Sequence, residues 1–179
     1  MLTGCTSAQT SQDEGGQRPA HWATPVNTSF NFYKIDDNLY RSEQPGRANL
    51  EEIKAHGIRT IISFRAFHSD SDILGNTGEI DLIRIPMNTW NIKDRHVLRA
   101  LNAIEMAKKK GPVLIHCQHG ADRTGLISAM YRMIYQGWNK KEALDELVNG
   151  GYGYHAIWKN IPRYVQEVDL AYIKQQLAR

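Results

Sequence analysis

Cysteine is scarce in this 179-residue chain: there are two, Cys5 and Cys117, far apart. That excludes a disulfide framework and any zinc site built mainly of thiolates. Charge of one sign is scarce too. Lysine and arginine number 22 against 19 aspartates and glutamates, a net charge of +3, so the concentrated basic face of a nucleic-acid binder is not expected. No run approaches the roughly 18 consecutive apolar residues of a membrane-spanning helix. What is present, 41% hydrophobic and 23% charged residues, suits a folded chain whose length fits one domain.

The opening stretch, MLTGCTSAQTSQDEGGQRPA, is rich in Gly, Ser, Thr and Gln and has no apolar periodicity. Residues 1–24 therefore read as a tether and 25–179 as the domain. Leu2-Thr3-Gly4-Cys5 resembles a bacterial lipobox, which implies a lipidated Cys5, membrane tethering and an extracytoplasmic (periplasmic or membrane-anchored) location. The basic and apolar segments that lead into a lipobox are missing, and a chance match in a cytoplasmic protein is the alternative.

Beyond the tether, Asn38–Ser42 reads as a short strand, and Asn49–Ala55 as a helix stopped by Gly57. Ile58–Phe64 and Ile80–Met87 are β-branched runs of strand length. A helix follows from Asp94, a residue suited to an N-cap, with Val97, Leu98, Leu101 and Ile104 on one face. Gly111-Pro112 ends it. Val113–Ile115 is a further strand, then come helices over Leu126–Gln136, Lys140–Val148 and Pro162–Leu177. Strands alternating with helices predict an α/β fold: a central, mostly parallel sheet flanked by helices.

The strand at Val113 runs straight into His116-Cys117-Gln118-His119-Gly120-Ala121-Asp122-Arg123-Thr124-Gly125. A strand-to-helix junction offers unpaired N–H groups and a positive dipole, which is an anion site. A cysteine placed there loses its proton readily and becomes a nucleophile. Gly120 lets the loop turn its amides inward. Arg123 supplies a planar fork for two phosphate oxygens, and Thr124 a hydroxyl for the thiolate.

This loop resembles the HCxxGxxRT phosphate-binding loop of the cysteine-dependent phosphatases, the superfamily of protein tyrosine and dual-specificity phosphatases. Leu39-Tyr40-Arg41-Ser42 with Gln44-Pro45 is similar to the YRSxQP segment of small bacterial and atypical members, and Ser63-Phe64-Arg65 and Ile85-Pro86-Met87 fall where the family has strands. The resemblance covers about residues 30–179. It implies a dual-specificity-phosphatase-like fold and a metal-independent phosphomonoester hydrolase with no cofactor. Cys117 would form a cysteinyl-phosphate, with Arg123 and the loop amides of Gln118, His119, Gly120, Ala121 and beyond holding the equatorial oxygens.

The general acid departs from the pattern. The family's aspartate would fall near Trp90, so the candidates are Asp122, beside Arg123, and Asp94. His116 is expected to brace the loop. Arg65 and Lys93 are expected to line the pocket; Arg41, His68 and Arg95 read more simply as solvated surface. Two further classes stand as alternatives: a metal or redox site from His116, Cys117, His119 and Asp122, and a catalytically weak phosphate-binding module. Among substrates the subgroup resemblance places an inositol polyphosphate (phytate-type) first and a phosphotyrosine protein second.

Overall fold

The computed structural model describes residues 18–179; Cys5 and its lipobox-like surroundings lie outside the described residues. Along the chain run β1 (Thr24–Asn27), β2 (Phe32–Asp36), β3 (Leu39–Ser42), α1 (Leu50–Ala55), β4 (Thr60–Ser63), α2 (Asp70–Leu74), β5 (Asp81–Arg84), α3 (Asp94–Lys108), β6 (Val113–His116), α4 (Asp122–Tyr135), α5 (Lys140–Asn149), α6 (Asn160–Glu167) and α7 (Leu170–Leu177). The six strands form one sheet in the order β1-β2-β3-β6-β4-β5. β1, β2 and β3 pair antiparallel, whereas β3, β6, β4 and β5 run parallel. The sheet is therefore mixed, and its parallel half carries the loop at Cys117.

Strand alternation decides which way that loop faces. Leu114 of β6 lies opposite Tyr40 and Ile61, and Ile115 opposite Arg41 and Ile62. Leu114, Tyr40 and Ile61 join Ile53 and Leu74 in one apolar cluster. Val113, Ile115 and Ile62 join Val97, Leu101 and Leu126 of α3 and α4 in another. Because side chains alternate with period two, Cys117 shares the second face, against α4.

Four details differ from expectation. The domain begins earlier than residue 25: Ala23 is fully buried and its N–H donates to Glu146 at 2.6 Å. Arg18 donates to the Ala23 carbonyl and, at 2.6 Å, to the Tyr152 hydroxyl. Lys93, not Asp94, holds the N-cap position of α3. α4 starts at Asp122 rather than Leu126, so its first turn contains Arg123 and Thr124. The expected last helix is two: the chain turns extended at Val168 (ψ 135°), and Asp169 caps α7 by accepting from the Tyr172 N–H.

One ion pair ties these layers together. Glu146 of α5 takes Arg132 of α4 through both carboxylate oxygens, at 2.8 and 2.9 Å, and also accepts from Tyr152 at 3.0 Å. Both side chains are almost fully buried. Burial raises the Glu146 carboxyl, and the hydrogen bond and charge of Arg132 more than offset this, leaving it below its ordinary value. Removing one partner of such a pair strands the other charge. Glu146→Ala is therefore expected to lower stability by about 3–5 kcal/mol in urea unfolding. The double replacement Arg132→Met/Glu146→Leu should cost less than the sum of its single changes.

Candidate active site

The loop from Cys117 to Ala121 joins the C-terminal end of β6 to α4, at the carboxyl edge of the parallel strands, where open α/β sheets bind ligands. Cys117 is 1% exposed. The loop closes on the neighbouring strand: the Gln44 N–H donates to the Gln118 carbonyl at 3.0 Å. Gly120 is left-handed (φ 67°), and a Cβ there would lie 2.5 Å from the backbone of Ser42 and Glu43. Only glycine fits both the angle and the approach.

Arg41 holds this turn from below. It is 1% exposed, donates from Nη2 to the Gly120 carbonyl at 2.7 Å, and lies with its guanidinium carbon 3.5 Å from the centre of the Tyr152 ring. Burial lowers the Arg41 pKa, opposed by Tyr152, Glu146 and the Cys117 sulfur. The expected surface role of Arg41 is thus corrected: it is a buried cation behind the loop, anchored by a carbonyl and an aromatic face.

Arg123 is oriented by two carbonyls. Its Nη1 donates to Phe64 and to Met87, each at 3.2 Å, just beyond the ends of β4 and β5. Its Nε is buried without a hydrogen-bond partner, as is Thr124 Oγ1. Unmet buried donors are costly, and an oxyanion at the loop would satisfy them. Arg65 is close by: burial and the charge of Arg123 both lower its pKa. Two arginines held against mutual repulsion mark the place where an anion belongs.

A chain of hydrogen bonds supports the cysteine from the other side. Arg65 donates to Gln44 at 2.9 Å, Gln44 to Asp70 at 3.0 Å, and Asp70 faces His116 Nε2 at 2.7 Å. His116 Nδ1 lies 3.0 Å from the Cys117 carbonyl. The ring thus bridges the Asp70 carboxylate and the backbone of the nucleophile. His116 is also wholly buried at the C-terminal end of β6, so its expected bracing contacts are made inside the protein.

The pocket at the loop is lined by Arg65, Ala66, Phe67, His68, Asn88, Thr89, Trp90, Gln118 and Arg123. Of the anticipated ligand residues, Arg65, Gln118 and Arg123 line it, and Gly120 and Ala121 form the buried turn. Trp90, 63% exposed, is on the rim and not in the core. Lys93 is exposed at the cap of α3 and is not among the lining side chains. His119 is exposed, its ring 5.1 Å from that of His155. Asp94 accepts from the Tyr164 hydroxyl at 2.7 Å; burial and this carboxylate push that hydroxyl's pKa up. Asp122 accepts from the His155 N–H at 3.0 Å and from its ring at 2.8 Å. His116 and Asp122 thus face different partners, and no metal-binding cluster of three forms among the described residues. Asp70 and His155 carried no motif signal, being remote in sequence from what they touch.

A nucleophile-bearing strand-to-helix turn with an arginine in the helix's first turn defines a cysteine-dependent phosphatase. Residues 26–152 match the model described as the tyrosine phosphatase family, and the chain belongs to that family. It is 32% identical to the dual specificity protein phosphatase TpbA of Pseudomonas aeruginosa over 161 residues, 90% of this chain and 73% of that one. The crystal structure of P. aeruginosa TpbA superposes with a TM-score of 0.84 at 33% identity, covering 91% of this chain and all of that one. A Cys-to-Ser variant of the same protein in complex with phosphotyrosine also gives 0.84, at 32% identity, covering 91% and 99%. The catalytic core of the PP-IP phosphatase SIW14 of S. cerevisiae gives 0.69 at 21% identity, covering 83% and 91%, a likeness of fold.

Asp70 yields a pH prediction. Burial raises its carboxyl, but the hydrogen bonds and charge of His116, with Gln44 and Arg65, bring it below its ordinary value. A folded value below the unfolded one contributes stability above the unfolded pKa, about 3.9, which is lost as pH falls through the folded pKa. In denaturation across a pH series, the advantage of wild type over Asp70→Asn should be full near neutrality and shrink as pH drops below about 4. Gly120→Ala should cost about 1–3 kcal/mol from its backbone angle alone.

Proposed function

We propose that this chain is a phosphotyrosine phosphatase in which Cys117 is the nucleophile and Arg123 and the loop amides bind the phosphoryl oxygens. The observation that carries the substrate reading is the pocket's make-up. It is lined by the cations Arg65 and Arg123 together with Phe67 and Trp90, which are 81% and 63% exposed. Aromatic rings left in water beside two cations suit a phosphate borne on an aromatic ring. The 32% identical relative whose crystal structure holds phosphotyrosine supports the same reading.

The inositol polyphosphate reading takes second place. A ligand bearing many phosphates needs several cations round the mouth. Of the four side chains that such a ligand would call on, Arg65, Lys93, Arg95 and His119, only Arg65 lines the pocket. His68 adds one more polar group, too few for a densely charged ligand.

In the proposed reaction Cys117 Sγ attacks phosphorus in line with the leaving oxygen. Arg123, fixed by the Phe64 and Met87 carbonyls, presents its free Nε to the equatorial oxygens as charge develops there. Thr124 Oγ1, buried with no partner of its own, is available to donate to the sulfur as the thiolate returns.

Release of phosphate from a phosphotyrosine peptide and from inositol hexakisphosphate tests the substrate assignment; faster turnover of the latter would reverse the order. Cys117→Ser should abolish turnover of both, and Arg123→Lys should lower kcat by roughly 10²–10³-fold. Orthovanadate should inhibit the wild-type protein.

A further inference from the structure

The pocket's polar side chains are Arg65, His68, Asn88, Thr89, Gln118 and Arg123. None of the described residues that line it is a carboxylate. The two aspartates best placed in sequence to deliver a proton are committed elsewhere. Asp94 begins α3 and is bonded to Tyr164 of α6. Asp122, whose side chain is 9% exposed, has one oxygen on the His155 N–H and the other on the His155 ring. Near the position where the family resemblance places the acid stands Trp90, an indole that donates only a weakly acidic N–H.

We propose that the leaving oxygen departs from this site without a proton from a protein carboxylic acid, so that the basicity of the leaving group selects the substrate: aryl phosphate monoesters are turned over, and alkyl monoesters of serine, threonine or inositol are not. The proposal rests on the phosphomonoesterase reading above and sharpens its substrate class. In the first step the S–P bond forms and the P–O bond breaks; the phenolate leaves with the electron pair and takes a proton from water. In the second, water attacks phosphorus, the S–P bond breaks, and thiolate and dihydrogen phosphate are released. A phenolate is stable enough to leave in this way, whereas an alkoxide calls for a general acid worth about 10²–10⁴-fold in rate. The exposed Phe67 and Trp90 favour the same choice, since a ring is what an aryl ester brings and a serine phosphate lacks.

The test is kcat/KM, which reports phosphoryl transfer to the cysteine, across substituted phenyl phosphates on the wild-type protein. A steep series is expected, with a fall of roughly 10²–10³-fold from 4-nitrophenyl phosphate to phenyl phosphate, within the span of about 10²–10⁴-fold that one general acid contributes. A phosphotyrosine peptide should be turned over at least about 10²-fold faster than its phosphoserine counterpart. The slope should be the same in Asp122→Asn, Asp94→Asn and His68→Gln, whatever their absolute rates. A flat wild-type series, or a slope that steepens in any of these variants, overturns the proposal. The wild-type series decides even if a variant fails to fold. A steep series on the small esters without turnover of the phosphotyrosine peptide supports this inference while overturning the phosphoprotein assignment.

Discussion

Within five residues the chain must leave β6, turn and enter α4, and the rest of the site follows from how that turn is held. Gly120 is pressed so closely on Ser42 and Glu43 that no Cβ could intervene. β3 must therefore lie beside β6, as it does in parallel register from Leu39–Val113 to Ser42–His116. The same contact brings Arg41 beneath the loop, bonded to the carbonyl of the glycine that makes the turn. Sheet order, glycine and arginine are three aspects of one packing arrangement, since loosening any of them loosens the turn.

The buried charges divide in a way that leaves the site positive. Glu146 is matched by Arg132, Asp70 by His116 and Asp122 by His155. Arg41, Arg65 and Arg123 remain, and among the described residues none of them has a carboxylate in ion-pair contact. They are held instead by carbonyls, an amide oxygen and an aromatic face. Holding a buried cation and two half-buried ones in this way is unfavourable unless negative charge joins them. In the proposed function, a phosphoryl group at the loop is the charge that completes the arrangement. The chain's small net charge gives no hint of this, because the field comes from which charges are paired and not from their sum.

How much could be read in advance follows from the range of each interaction. The loop from His116 to Gly125, the strand before it and the helix after it are local, so composition and order revealed them. The parallel strands were recognisable as apolar runs, whereas β1 and β2 were not anticipated: β1 has four residues with a proline at an edge. Arg41 read as surface because its burial comes from Tyr152, more than a hundred residues on. Asp70 and His155 likewise owe their roles to His116 and Asp122, partners that only folding supplies. Both expected proton donors are aspartates at helix starts, where structural and chemical roles have the same local signature.

The segment between β5 and α3 shows why those roles diverge here. Its start is fixed where the Met87 carbonyl receives Arg123. Its middle is fixed where Asn160 donates to the Thr89 carbonyl at 2.8 Å, and its end where Asp94 receives Tyr164. Two of these three ties run to α6, a helix set apart from α7 by the break at Val168. The segment is thus built into the last helices, with its exposed aromatic, Trp90, left beside the pocket. A carboxylate that carried protons from this segment would need freedom to approach the substrate and a neighbour that does not neutralise it. Asp94 lacks that freedom, because the hydrogen bond that orients Asp94 is also the one that anchors α3 to α6.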